Sequence, residues 1–245
     1  MHFITGIIRE NVLGVFPNPS MDVAEPWQIN FQDPATPVLE GIIDFHNDLM
    51  ILLTVIGIMV FWVLARCIVL FENNPNPTNV VHGTTLEMIW TIIPAVILMF
   101  VAVPSFALLY STDEILDPAV TLKVVGHQWY WSYEYPEHKF SFDAFMLERE
   151  ELAEYGYKPD EYLLATDYPV VVPVGTNVRM QIAGADVIHA WKIPAFGVHM
   201  DAVPGRLNET WFNADKEGVY FGQCSELCGK NHAFMPIVVK VVSKE

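Results

Sequence analysis

Between Gly222 and Met235 the chain reads GQCSELCGKNHAFM, which gathers two thiols, an imidazole and a thioether (Cys224, Cys228, His232 and Met235) into one short stretch. Thiolate and thioether are soft donors and imidazole is borderline, a set that suits copper better than the other common metals. One more nitrogen donor is expected upstream, and His189 in DVIHAWKIP, which follows a β-like stretch, is the candidate. A mononuclear blue-copper site uses one cysteine, two histidines and a weak methionine. The second cysteine argues instead for two coppers bridged by two thiolates, each with one histidine and one weak axial donor. Met235 supplies one axial donor, and the backbone carbonyl of Glu226, held between the cysteines, supplies the other. Two alternatives stand beside this reading. A Cys2His2 zinc site fits the donor count but leaves Met235 unexplained. A Cys224–Cys228 disulfide suits an oxidising compartment but leaves His232 and Met235 without a purpose.

The elements that must position these donors differ sharply between the two halves of the chain. Apolar residues make up 52% of the sequence and charged ones only 17%, and two windows account for this. Leu49 to Ala65 carries no charge and continues past Arg66 as CIVLF; Met88 to Tyr110 carries none and is broken only by Pro94 and Pro104. About 20 apolar residues cross a bilayer as a helix, and prolines are tolerated there. Helices buried in a soluble core usually keep a polar stripe, which these lack. The connection ENNPNPTN at 72–79 blocks helix, and T-T-L-E at 84–87 is a capping box with Thr84 as the cap and Glu87 reaching back to it. The organisation expected is an extended N-terminal segment over 1–40, a helical hairpin over 41–110 and a head over 111–245. Arg66 places the connecting loop on the cytoplasmic or matrix side and the head outward. No signal peptide stands out in Met1 to Met21, and Cys67 is expected to pack in the first span as a small apolar residue.

From Ser111 onward the pattern turns to short runs rich in valine, isoleucine and aromatics: VTLKVV (120–125), YPVVVPV (168–174), NVRMQIA (177–183), GVYFG (218–222) and PIVVKVV (236–242). Such runs separated by polar turns predict a sandwich or barrel. Residues 147–166 read as a helical or irregular insertion. The net charge of −16, carried mainly by the head, excludes nucleic acid and favours a basic partner. Three cysteines exclude a disulfide framework.

Six segments together, GQCSELCGKNHAFMP, DVIHAW, DAVPGR, GHQWYWSYEY, FQDPATP and EMIWTIIP, resemble subunit II of the haem–copper cytochrome c oxidases, over residues 24 to 243. The resemblance implies a two-helix transmembrane hairpin followed by an all-β cupredoxin-like Greek-key barrel that holds the dinuclear CuA centre. Its copper ligands would be His189, Cys224, Glu226 through its carbonyl, Cys228, His232 and Met235. Trp129 would be the exposed point where electrons arrive from cytochrome c, with Glu134, Asp167 and Asp186, joined by Asp143, forming an acidic docking face. The Glu226 side chain would help bind a magnesium shared with subunit I, near Asp201 and Arg206, and Glu87 would be where protons enter that subunit. Subunits I and III, cytochrome c and the lipid bilayer are the implied partners. The haems, the reduction of oxygen to water and the proton pumping would belong to the partner subunit. The location implied is the mitochondrial inner membrane with the head in the intermembrane space, or equivalently a bacterial plasma membrane with the head in the periplasm. A quinol oxidase subunit II would keep the fold but lack the copper ligands. A membrane-tethered, thioredoxin-like copper chaperone would carry its cysteine motif early and usually behind one span.

Overall fold

Thr36 followed by Pro37 starts the first helix. The Thr36 hydroxyl accepts the Leu39 N–H at 3.2 Å and donates to the Phe196 carbonyl at 2.8 Å, so it caps the helix and ties its first turn to the head. Threonine at the cap with proline at the first helical position is a favoured start. Helix α1 therefore runs Pro37–Phe71 and begins before residue 41, because the Thr-Pro pair and Glu40 in the first turn already supply a complete helix start. The computed structural model describes residues 23–115 and 117–244; the extended reading of residues 1–22 falls outside them. Helix α2 spans Thr84–Asp113 and contains Pro94 and Pro104. Glu87 does fold back as a cap, but Oε1 accepts the Gly83 N–H at 3.2 Å. Thr84 is already helical, so the cap lies one residue earlier than the T-T-L-E pattern predicts.

The most apolar stretch of each helix has no buried residue, the reverse of a helix inside a soluble core. Phe61, Trp62, Ile93 and Phe100 lie on that exposed surface, as does Cys67. Lipid is the solvent for such a surface, since a helix satisfies its own backbone. The described residues divide into two compact units, Gly41–Ser111 and the described parts of 23–40 and 112–244.

The head is built from β1 Val120–His127, β2 Tyr130–Tyr135, β3 Phe140–Ala144, β4 Val170–Pro173, β5 Asn177–Gly184, β6 His189–Ile193, β7 Val198–Ala202, β8 Asn208–Asn213, β9 Gly218–Gln223 and β10 Pro236–Val242. A five-stranded sheet has the order β3-β2-β1-β5-β8, a three-stranded sheet the order β4-β10-β9, and β6 pairs with β7. The β1–β5 and β4–β10 pairs are parallel and the rest antiparallel. Alternation sends Leu122 and Val124 from β1, and Trp131, Tyr133 and Tyr135 from β2, into one core with Met180, Ile182, Trp191 and Phe212. Together with the hairpin this is the two-helix, cupredoxin-like all-β arrangement expected from the sequence.

Strands β9 and β10 are buried on both faces, which the insertion explains. Tyr220, Ile237 and Val239 point into the main core. Val219, Phe221 and Val238 point the other way, onto Leu147, Leu152, Tyr157 and Ala165. Residues 147–166 are turns with one short 3-10 helix, Pro159–Glu161, and they cover a sheet face that would otherwise be wet and apolar.

Candidate metal centre

The donors lie where strands begin and end. His189 opens β6, Cys224 follows the last residue of β9, and Met235 precedes the first residue of β10. Backbone bonds fix the intervening loop: Cys224 N–H donates to the Met235 carbonyl at 3.4 Å, and Ser225 N–H donates to the Ala190 carbonyl at 3.0 Å. A 3-10 turn at His232–Phe234 brings the second imidazole round.

The resulting cluster is tight. The two sulfurs are 3.8 Å apart, far beyond the roughly 2.05 Å of a disulfide, and both cysteines are free. His189 Nδ1 lies 3.9 Å from Cys224 Sγ, and His232 Nδ1 lies 3.5 Å from Cys228 Sγ. Met235 Sδ is 3.5 Å from Cys228 Sγ, and the Glu226 carbonyl oxygen is 3.4 Å from Cys224 Sγ. Each sulfur thus has one imidazole nitrogen and one weaker donor beside it. Cys224, Cys228, Met235 and His189 are buried, while His232 is half-buried.

The protonation chemistry of the pair fits a cation. Burial opposes a thiolate at Cys224, yet hydrogen bonds with His189 and the Ala190 backbone bring its thiol down to about 7. Burial and then the neighbouring Cys224 charge push Cys228 up to about 12. Burial makes a second thiolate costly, and two negative sulfurs this close also repel. Positive charge between them removes that cost. At 3.8 Å the two sulfurs are close enough for both to serve as donors in one metal centre.

The surroundings hold the donors in place. Asp186 Oδ1 is 2.8 Å from His189 Nε2, which assigns the proton to Nε2 and leaves Nδ1 free toward the sulfurs. The same carboxylate accepts Val187 N–H and Gln128 N–H, both at 2.7 Å. Burial works against its charge, but these bonds hold it below the usual carboxylate range. Gln128 Nε2 and Trp129 Nε1 both donate to the Cys228 carbonyl, at 2.9 and 3.2 Å, and Trp131 Nε1 donates to the Met235 carbonyl at 3.2 Å. The Trp131 ring also meets His189 edge-on at 5.9 Å. Gly126 is required here, since a Cβ would lie 2.8 Å from the His189 ring.

The other residues singled out from the sequence have the following surroundings. Trp129 is half-buried rather than fully exposed. Asp186 spends its oxygens on His189 and two backbone amides. Asp167 Oδ1 accepts Phe145 N–H and Tyr168 N–H, and burial lifts its carboxyl despite those bonds. Glu134 pairs with Lys123 at 3.2 Å, and Asp143 accepts the Ser132 hydroxyl at 2.6 Å. The Glu226 side chain is exposed, as are Asp201 and Arg206. Glu87 belongs to the other unit, at the start of α2. Sequence reasoning passed over Gln128 and Trp131, although both lie in the aromatic GHQWYWSYEY run.

Comparison with known proteins agrees with this geometry. Residues 120–242 match the family model described as cytochrome c oxidase subunit II, periplasmic domain, and residues 24–108 match its transmembrane domain. The chain is 54% identical to cytochrome c oxidase subunit 2 of Phytophthora megasperma over 92% of its own length and 86% of the relative's. It is 53% identical to that of Oenothera berteroana, over 91% and 88%. Among solved structures it is similar to the periplasmic domain of cytochrome oxidase subunit II from Bradyrhizobium japonicum, with 52% identity, 54% of this chain and 89% of that one covered, and a TM-score of 0.49. His189, Cys224 and Cys228, whose ligand atoms lie within 4.8 Å of one another, form a group compatible with a CuA copper site. Two apolar helices long enough to cross a membrane, a head matching the periplasmic domain and this donor cluster converge on one assignment: the chain belongs to the cytochrome c oxidase subunit II family, an oxidoreductase subunit whose donor cluster is compatible with a copper site.

Proposed function

We propose that the chain takes electrons one at a time from reduced cytochrome c and passes them to haem in subunit I, where oxygen is reduced to water with proton pumping. The observation that carries this reading is the convergence of two unbonded thiols, two Nδ1 atoms, a thioether and a carbonyl, with adjacent donors at 3.4–3.9 Å. His189, Cys224, Cys228, His232, Met235 and the Glu226 carbonyl would hold two copper ions. Bound there, they would supply a one-electron carrier.

The chain's own residues do the rest. Burial of both cysteines and of Met235 excludes water, so little solvent reorganises when the charge changes. Asp186 keeps His189 in one tautomer and orientation. Trp129 joins the head surface to the Cys228 carbonyl by a single hydrogen bond, which supports its role as the point where electrons arrive. Glu134, Asp167, Asp186 and Asp143 carry negative charge around the β1–β2–β3 face, and a basic cytochrome c is steered by such a field. The exposed Glu226 carboxylate, set between the two cysteines, is free to reach a magnesium ion shared with subunit I. Glu87, an ionisable residue at the edge of a membrane span, is placed to pass protons to that subunit. Subunit III completes the set of oxidase partners, and the head faces the side of the membrane on which cytochrome c docks.

The test is electron paramagnetic resonance of the purified, oxidised oxidase, with copper counted per subunit. Two coppers in this chain and a seven-line hyperfine pattern, from one electron shared by both, are expected. A four-line pattern, or zinc in their place, overturns the reading.

A further inference from the structure

We infer that Gln128 is a positioning residue of the metal centre, a strap that joins the His189 side of the site to the Cys228 side; this rests on the copper reading above. The two halves come from different parts of the head. His189 stands on β6, whereas Cys228 lies in the loop between β9 and β10. Gln128 belongs to neither, sitting in the turn between β1 and β2. Its backbone N–H donates to Asp186 Oδ2 at 2.7 Å, and Asp186 Oδ1 holds His189 Nε2 at 2.8 Å. Its side-chain Nε2 donates to the Cys228 carbonyl at 2.9 Å. The path from imidazole to carboxylate to glutamine to cysteine carbonyl is continuous.

Three further features fit this role. The Cys228 carbonyl receives two donors, Gln128 Nε2 and Trp129 Nε1, so the backbone of one thiolate ligand is fixed from the side where electrons arrive. Gly229 follows immediately with φ +118, which other residues rarely adopt, and a Cβ there would crowd both donors at 3.2 Å from Gln128 Nε2 and Trp129 Cζ2. Finally, Gln128 is exposed and uncharged, so its two fixed bonds, rather than charge, are what the site gains from it. Groups that orient metal ligands typically change affinity or activity by about 10–100-fold when removed.

The experiment uses the assembled oxidase with Gln128→Ala and, to keep the side chain's size while removing its donor, Gln128→Glu. Copper release to a bathocuproine chelator, the electron paramagnetic resonance spectrum and the reduction rate are measured. The rate is taken with cytochrome c and with hexaammineruthenium(II), a small cation that does not need the docking face. The strap predicts about 10–100-fold faster copper release, an altered hyperfine pattern, and slower reduction by both donors. Copper release and spectrum unchanged from the parent, with only the cytochrome c rate reduced, would make Gln128 a docking contact and overturn the proposal. If the parent oxidase itself holds no copper in this chain, the functional reading fails first, and the two failures are distinct.

Discussion

Gly222→Ala tests whether the packing of β9 beneath β6 sets the metal centre. Gly222 pairs with Ile237 in β10. A Cβ on it would lie 2.0 Å from the Lys192 carbonyl oxygen and 2.9 Å from Ile193 Cγ1. Real Cβ contacts essentially never fall under 3.0 Å, so β9 and β6 must separate by at least 1.0 Å. Lys192 is three residues from His189, and Gly222 is two from Cys224, so the separation falls on the junction that carries both ligands. The Ser225 N–H to Ala190 carbonyl bond, now 3.0 Å, would open to about 4 Å and cease to be a hydrogen bond. Overpacking of about 1–3 kcal/mol and a lost bond of about 0.5–1.5 kcal/mol give roughly 1.5–4.5 kcal/mol. At about 1.4 kcal/mol per decade, that is roughly 10- to 1,600-fold in the equilibrium favouring the closed site. Metal–ligand distances tolerate only about 0.2 Å, so copper should be lost before the head unfolds. Copper per subunit and the paramagnetic resonance spectrum of the purified oxidase measure this. Gly175→Ala is the control. Gly175 lies in the β4–β5 turn with φ +60 and open space around its Cα, so alanine there costs backbone strain of about 1–2 kcal/mol and should leave copper in place. A Gly222→Ala oxidase with two coppers and the parent spectrum would refute the reasoning.

Glu134→Gln should slow association with cytochrome c at low ionic strength and flatten its salt dependence, with the copper spectrum unchanged, because its exposed pair with Lys123 is worth only about 0–1 kcal/mol to the fold; stopped-flow kinetics across a salt series decides this, and unaltered low-salt rates would remove Glu134 from the docking face. Asp167→Asn leaves an oxygen able to accept Phe145 N–H and Tyr168 N–H, so it should show the same kinetic signature without loss of stability. Glu87→Gln keeps an acceptor for the Gly83 N–H but removes the charge: slowed proton-coupled reduction of the catalytic site with normal assembly is expected, whereas normal reduction would leave Glu87 a helix cap alone. Thr36→Val removes both the Leu39 cap and the Phe196 bond, costing about 1–2 kcal/mol; amide exchange at Leu39 should speed up by about tenfold, and unchanged exchange would mean that the cap contributes nothing.

What could be read from the sequence depended on how far apart the interacting residues lie. Cys224, Cys228, His232 and Met235 are near neighbours in the chain, so their chemistry is visible in a single line of text. The spans are equally local, because a long uncharged window needs no partner to be recognised. The start of α1 was also local, written in Thr36-Pro37, but it was masked by the loop-like composition around it. Strands β6, β7 and β8 were not legible: HAWKI, VHMDA and NETWFN carry charged and polar residues, and they become strands only through pairing. The insertion over 147–166 looked like an irregular excursion because its partners, Val219, Phe221 and Val238, lie far along the chain. The same rule separates the ligands from the residues that hold them. Asp186 is three residues from His189, yet in the sequence it stands only among the acids of a docking face, since only the fold shows its oxygens turned onto the imidazole and the β1–β2 turn. Gln128 lies 100 residues from Cys228, and no local pattern links a glutamine to a distant carbonyl. The ligand types therefore state which metal can bind, while the hydrogen bonds that close between distant strands determine how firmly each ligand is held.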